Sequence, residues 1–107
     1  MNNEKSVAVV KRFFDALARL KKDKEIRGLK TFADRYGINR RNFDTLRKEP
    51  HRNIFQVSWL TNLVEDYGVS ARWLLTGEGD FYEFRIEKPA NGPQAVILPP
   101  INVLLGN

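Results

Sequence analysis

Residues 33–46 read ADRYGINRRNFDTL, and the assignment of each position in this stretch decides the fold. The preceding LKTFADRY, residues 29–36, predicts a short helix with Phe32, Ala33 and Tyr36 turned inward. Gly37 then supplies a residue that enters the left-handed backbone region without a Cβ penalty and ends that helix. Ile38 follows as the apolar anchor of the turn, and Asn39 is a good N-cap for a second helix, RRNFDTLRK. Phe43 and Leu46, three apart, mark its buried side, and Pro50 closes the run. A helix–turn–helix of this kind needs a small residue where its helices cross, which Ala33 provides. Once Ala33, Gly37, Ile38, Phe43 and Leu46 are assigned to the fold, Asn39, Arg40, Arg41, Asn42, Asp44 and Thr45 remain toward solvent.

Working outward, residues 6–24 place Val7, Val10, Phe14 and Leu17 on one stripe at helical spacing, widened by Phe13 and Leu20. Ser6 is the expected N-cap, and Lys21, Lys22 and Lys24 suit the negative end of the helix dipole. Downstream, HRNIFQV (residues 51–57) is a connector. Asn53 with Gln56 fits a capping box, and Ser58 is an equally good cap for WLTNLVEDYG, whose apolar face is Leu60, Leu63, Val64 and Tyr67. Gly68 and Val69 form another stop with a hydrophobic latch, and Ser70 caps a fifth helix, ARWLLT, ended by Gly77. Beyond Asp80 the period changes. Tyr82, Phe84 and Ile86 alternate with charged residues as in a strand, PANGP carries turn chemistry, and QAVIL reads as a returning strand cut short by Pro99 and Pro100. An exposed VILPPINVLL would be unusual, so the tail is expected to dock or to dimerise.

At 107 residues the chain predicts one domain with an appendage. It has no Cys and a single His, which removes disulfides and thiolate metal sites and disfavours a catalytic or zinc constellation. No nucleophile–base set stands out, the acidic residues are scattered singly, and neither an enzyme nor a cofactor is expected. No segment approaches the ~20 apolar residues of a membrane span. The N-terminus lacks the basic-then-apolar pattern of a signal peptide, so a cytoplasmic location is the expectation. Charge is strongly segregated. Residues 1–52 hold fifteen Lys/Arg against seven Asp/Glu (+8), and residues 53–107 hold three against six (−3). A basic half with a mildly acidic remainder suits a polyanionic partner.

The leftover residues of the 33–46 stretch fit such a partner. Arg reads guanine O6 and N7 bidentately, Asn does the same to adenine N6 and N7, and the start of a recognition helix is where those base edges are met in the major groove. The pattern resembles the helix–turn–helix of the phage-repressor-like (lambda-repressor-type) family. A second match, GVSARWLLTGEG at residues 68–79, resembles the segment that follows the fourth helix in small repressors of that family. The resemblance covers roughly residues 7–80. It implies an all-α, compact five-helix lambda-repressor-like DNA-binding domain over residues 1–80, with residues 81–107 as a short extended tail readable as a β-hairpin.

What the resemblance implies for function is a DNA-binding transcriptional regulator, of the prophage repressor type. The base-contacting residues would be Asn39, Arg40, Arg41, Asn42, Asp44 and Thr45. Arg47, Lys48 and Arg52, at the end of the helix and beyond it, are candidates for phosphate. Family members often carry Gln at the start of the second helix to reach a phosphate. This chain has Leu29 and Lys30 there, and Lys30 or Thr31 takes over that contact. The protease-like domain of longer relatives is missing, so self-cleavage is not expected. Phe32 and Tyr36 read as core residues rather than base-stacking ones, and His51 as an exposed loop residue. The expected partners are double-stranded DNA and a second copy of the chain, with no membrane and no small-molecule ligand. The competing reading is an antitoxin- or antirepressor-like adaptor that keeps the helix–turn–helix as scaffold and offers its tail as a strand to a partner.

Overall fold

The computed structural model describes residues 4–84, together with the backbone of Ile86–Glu87 and Val96–Ile97. Among the described residues, five helices carry the fold: α1 (Glu4–Lys22), α2 (Leu29–Arg35), α3 (Arg40–Lys48), α4 (Val57–Tyr67) and α5 (Ala71–Thr76). This agrees with the expected all-α class. Two short strands follow, β1 (Ile86–Glu87) and β2 (Val96–Ile97), paired antiparallel with Ile86 opposite Ile97 and Glu87 opposite Val96. The expected PANGP turn and all of INVLLGN lie outside the described residues. Among the described residues, no helix is long and apolar enough to cross a membrane.

The core is organised around α1, which buries Val10, Phe13, Ala16, Leu17 and Leu20. The expected stripe is therefore turned by one residue. Phe13 is fully buried, whereas Phe14 and Val7 are half-buried at its margin. The reason is an aromatic cluster that only the assembled fold creates. Phe13 meets Phe14, Phe32, Phe43, Phe55 and Trp59 at centroid distances of 5.0, 5.9, 6.3, 5.3 and 5.9 Å, so rings from α1, α2, α3, the 49–56 connector and α4 converge on it. Aromatic pairs in edge-on geometry add ~0.5–1.5 kcal/mol each beyond the area they bury.

The ends of α1 also differ from expectation. The helix begins at Glu4, so Ser6 lies inside its first turn and is not the N-cap; an acidic residue there suits the positive end of the dipole. It stops at Lys22, two residues early. Lys24 takes a left-handed conformation (φ 63°), with Glu25 N donating to the Leu20 carbonyl at 2.8 Å and Lys24 N to that of Lys21 at 3.1 Å. This is the two-bond helix stop usually built on glycine, and the buried Ile26 locks it.

Helix α4 begins at Val57 with Gln56 as N-cap, and neither the Asn53/Gln56 box nor Ser58 supplies a side-chain cap. Buried Trp59, packed on Phe43 (6.1 Å) and Phe55 (5.4 Å), fixes the start instead, its N–H closing a tight first turn on the Gln56 carbonyl at 3.0 Å. Leu63 and Tyr67 are buried as expected, and Leu60 and Val64 half-buried. Gly68 (φ 70°) ends α4, and Ser70 caps α5 by accepting from Trp73 N at 3.1 Å. Leu74 fills the core, while Trp73 is half-buried and edge-on to Phe81 at 4.8 Å.

The chain then folds back beneath the α4–α5 corner. Ser70 N donates to the Phe81 carbonyl at 2.7 Å and Glu83 N to that of Gly68 at 2.9 Å, flanking a bridge between Val69 and Tyr82. The Arg19 guanidinium lies over the Phe81 and Tyr82 rings, and the Tyr82 hydroxyl donates to Asp23 at 2.7 Å. Arg12 reaches across from α1 to the Leu74 and Leu75 carbonyls at 2.8 and 2.9 Å, capping α5 from outside.

Candidate functional site

The turn between α2 and α3 follows from three local devices. Gly37 sits at φ 65°, and the freed carbonyls of α2 are taken up by Ile38 N on Ala33 O (2.8 Å) and Gly37 N on Asp34 O (3.3 Å). Ile38 is buried and latches the turn. Asn39 then caps α3, its Oδ1 accepting from Asn42 N at 3.0 Å. Ala33 is fully buried, and Phe43 and Leu46 face the core. These are the positions assigned from the sequence, and α3 spans the expected nine residues.

The polar residues of α3 divide between three faces. Opposite Phe43 and Leu46, at the i, i+3, i+4, i+7 spacing of a helix surface, run Arg41, Asp44, Thr45 and Lys48. Arg41, Asp44 and Lys48 are exposed and Thr45 half-buried. The Arg41 and Lys48 side chains form no hydrogen bond or ion pair among the described residues, so two unpaired cations bracket this outward line.

On one flank, Arg40, Asp44 and Arg47 look across a groove of about 380 Å³ toward Lys21, Arg27 and Lys30. Thr31 lines the same groove. Five cations against one carboxylate make it a cationic trough running from the end of α1, past the first turn of α2, to α3. On the other flank Asn39 and Asn42 share a neutral cleft of about 240 Å³ with Gln56, Ser58 and Asn62 of the N-cap and first half of α4.

Each expected contact residue can now be placed. Arg41, Asp44, Thr45 and Lys48 form the outward line. Arg40, Lys30, Thr31 and Arg47 line the trough, and Asn42 lies in the amide cleft. Asn39 is exposed, but as a cap its Oδ1 already accepts from backbone, leaving the amide nitrogen as its free polar atom. Arg52 lies farther along the connector and donates to Glu49 at 3.3 Å, a partner three residues back. His51 is exposed.

Two features were not anticipated from the sequence. Lys21, read as a helix-end residue, and Arg27, in an unassigned loop, both reach the trough, and nothing in their local sequence marks this. The other is a two-point ion pair across the turn. Arg40 donates from Nε to Asp34 Oδ1 at 3.1 Å and from Nη2 to Oδ2 at 2.9 Å, with both side chains more than half exposed. These hydrogen bonds, aided by the nearby charge of Lys30, hold the Asp34 carboxyl below its usual range.

Behind the turn, Tyr36 donates to Asp66 at 2.5 Å and Arg35 to the Tyr67 hydroxyl at 3.1 Å, tying α2 to α4. Partial burial, followed by the bonds to Asp66 and Tyr67, pushes the Tyr36 phenol well above its usual value. The pair α2–α3 is thus braced from the core side while its outer surface carries the unpaired cations. No protein-family model, curated protein or solved structure matches the chain.

Proposed function

We propose that this chain is a sequence-specific double-stranded-DNA-binding transcriptional regulator with a lambda-repressor-like fold, acting by binding rather than catalysis. The observation that carries the reading is the surface of α3. An outward line of Arg41, Asp44, Thr45 and Lys48, two of them unpaired cations, runs beside a trough of Lys21, Arg27, Lys30, Arg40 and Arg47. A helix presented this way fits the major groove with Arg40 at its leading end, and Lys21, Arg27, Lys30 and Arg47 of the trough would meet the adjoining phosphodiester backbone. Cations at phosphates provide sequence-independent affinity, and side chains at base edges provide discrimination.

One nine-residue helix reads few base pairs, so the regulator works as a homodimer on a two-fold-related operator with half-sites ~34–36 Å apart. An apolar groove of about 270 Å³ between α4 and α5, with Val57 74% and Leu75 56% exposed at its rim, supports a protein partner at that face. The same groove also supports the adaptor reading.

Selection of bound duplexes from a random pool at fixed salt tests the reading. A regulator returns a two-fold-related consensus, whereas an adaptor returns none. Within the consensus, Arg41→Ala should relax one position of each half-site at a cost of ~1–3 kcal/mol. Lys48→Ala should weaken every duplex alike and lower the salt slope by about one. Equal losses from both variants on all duplexes would refute this division of roles.

A further inference from the structure

The ion pair between Asp34 and Arg40 is more than a brace for the turn. We infer that Asp34 is a positioning residue that sets base specificity, fixing Arg40 as a two-pronged donor for guanine; the inference rests on the DNA-binding reading above. Asp34 lies in the last turn of α2 and Arg40 is the first residue of α3, so the pair bridges the turn at the end of α3 that enters the groove first. The carboxylate engages one edge of the guanidinium, Nε and Nη2, at 3.1 and 2.9 Å.

A guanidinium has five N–H donors in a planar fork. Two are used here. The opposite edge, Nη1 with the second Nη2 proton, keeps two parallel donors, the arrangement that matches guanine O6 and N7. A free Arg side chain samples many rotamers and meets phosphates as readily as bases; one held at two points has its plane and reach decided before DNA arrives. Both side chains are more than half exposed, so the pair contributes little as a surface salt bridge, and its geometry is what distinguishes it. Arg41, the next residue, has no such partner among the described residues and is the contrasting case of an unguided arginine.

The charge of Asp34 gives the inference a signature that a turn brace would not produce. Beside a phosphate backbone a carboxylate is repulsive, so removing it should favour DNA in general. Asp34→Asn in the full chain is therefore expected to bind unrelated duplex as well as or better than the parent. At the same time its preference for guanine at one half-site position should fall on the order of tenfold, within the range for a bidentate contact. Arg40→Lys, which keeps the charge and loses the fork, should relax that same position, and the Asp34→Asn/Arg40→Lys double variant should be no worse there than Arg40→Lys alone.

In the free protein, the Arg40 Nε–H resonance should show slow solvent exchange that Asp34→Asn abolishes. If the parent selects a consensus but Asp34→Asn keeps the same profile, or weakens every duplex in step with a lower melting temperature, the positioning role is refuted and the DNA reading survives. If the parent binds no duplex, the DNA reading fails and this inference with it.

Discussion

Gly37 and Gly68 have nearly the same backbone conformation, φ 65° and 70°, but opposite surroundings, and this separates two costs that usually come together. A Cβ built on Gly37 meets nothing within 4 Å, whereas one on Gly68 would collide with the Phe84 carbonyl oxygen. Gly37→Ala therefore isolates the left-handed backbone penalty of ~1–2 kcal/mol. The reduced freedom of the unfolded chain offsets ~0.4–1 kcal/mol of it, leaving a net loss of about 1 kcal/mol. Gly68→Ala carries the same loss and must also displace the returning chain. That endangers the 2.9 Å bond from Glu83 N to Gly68 O and the neighbouring 2.7 Å bond from Ser70 N to Phe81 O. At ~0.5–1.5 kcal/mol per hydrogen bond, its total should reach about 2–4 kcal/mol. Urea unfolding followed by far-ultraviolet circular dichroism measures both. Gly37→Asn serves as a control, because Asn tolerates the left-handed region and should lose less than Ala. Thermal midpoints should fall by about 4–8 °C per kcal/mol for a domain of this size. Equal losses for the two alanine variants would refute the packing argument, and Gly37→Asn as costly as Gly37→Ala would refute the backbone one.

Two further predictions concern helix ends. Lys24→Gly should stabilise the protein by up to ~1 kcal/mol, since Lys24 stands at φ 63° where glycine is unstrained; a lower urea midpoint would contradict the stop assigned to α1. Asn39→Ala should cost ~0.5–2 kcal/mol through loss of the cap to Asn42 N, with Asn39→Ser and Asn39→Asp restoring most of it, and failure of both to rescue would show that the side chain matters for something other than capping.

The features that the sequence predicts most faithfully are those enforced within a few residues. Gly37, Ile38 and Asn39 stop one helix, latch the turn and start the next with bonds between residues three to five apart, and α3 accordingly has its expected bounds. Ser70 and the glycine stop at Gly68 are of the same kind. The misplaced features are those decided at a distance. A run with both Phe13 and Phe14 has two plausible stripe centres, and only the arrival of Phe32, Phe43, Phe55 and Trp59 selects Phe13. Lys24 in a left-handed turn contradicts local preference and is held there by backbone bonds and by the burial of Ile26.

The candidate site divides along the same line. Exposure of Arg41, Asn42 and Asp44 follows from helical period once Phe43 and Leu46 are inside. Which cation meets which neighbour does not, because Lys21, Arg27 and Arg47 converge only when α1, α2 and α3 have packed. The pairing of Asp34 with Arg40 needs two helix ends brought together by the turn, although the turn itself is legible. A cation's place in the sequence therefore says whether it is exposed, and the assembled helices determine whether it arrives at a partner already oriented, like Arg40, or free, like Arg41.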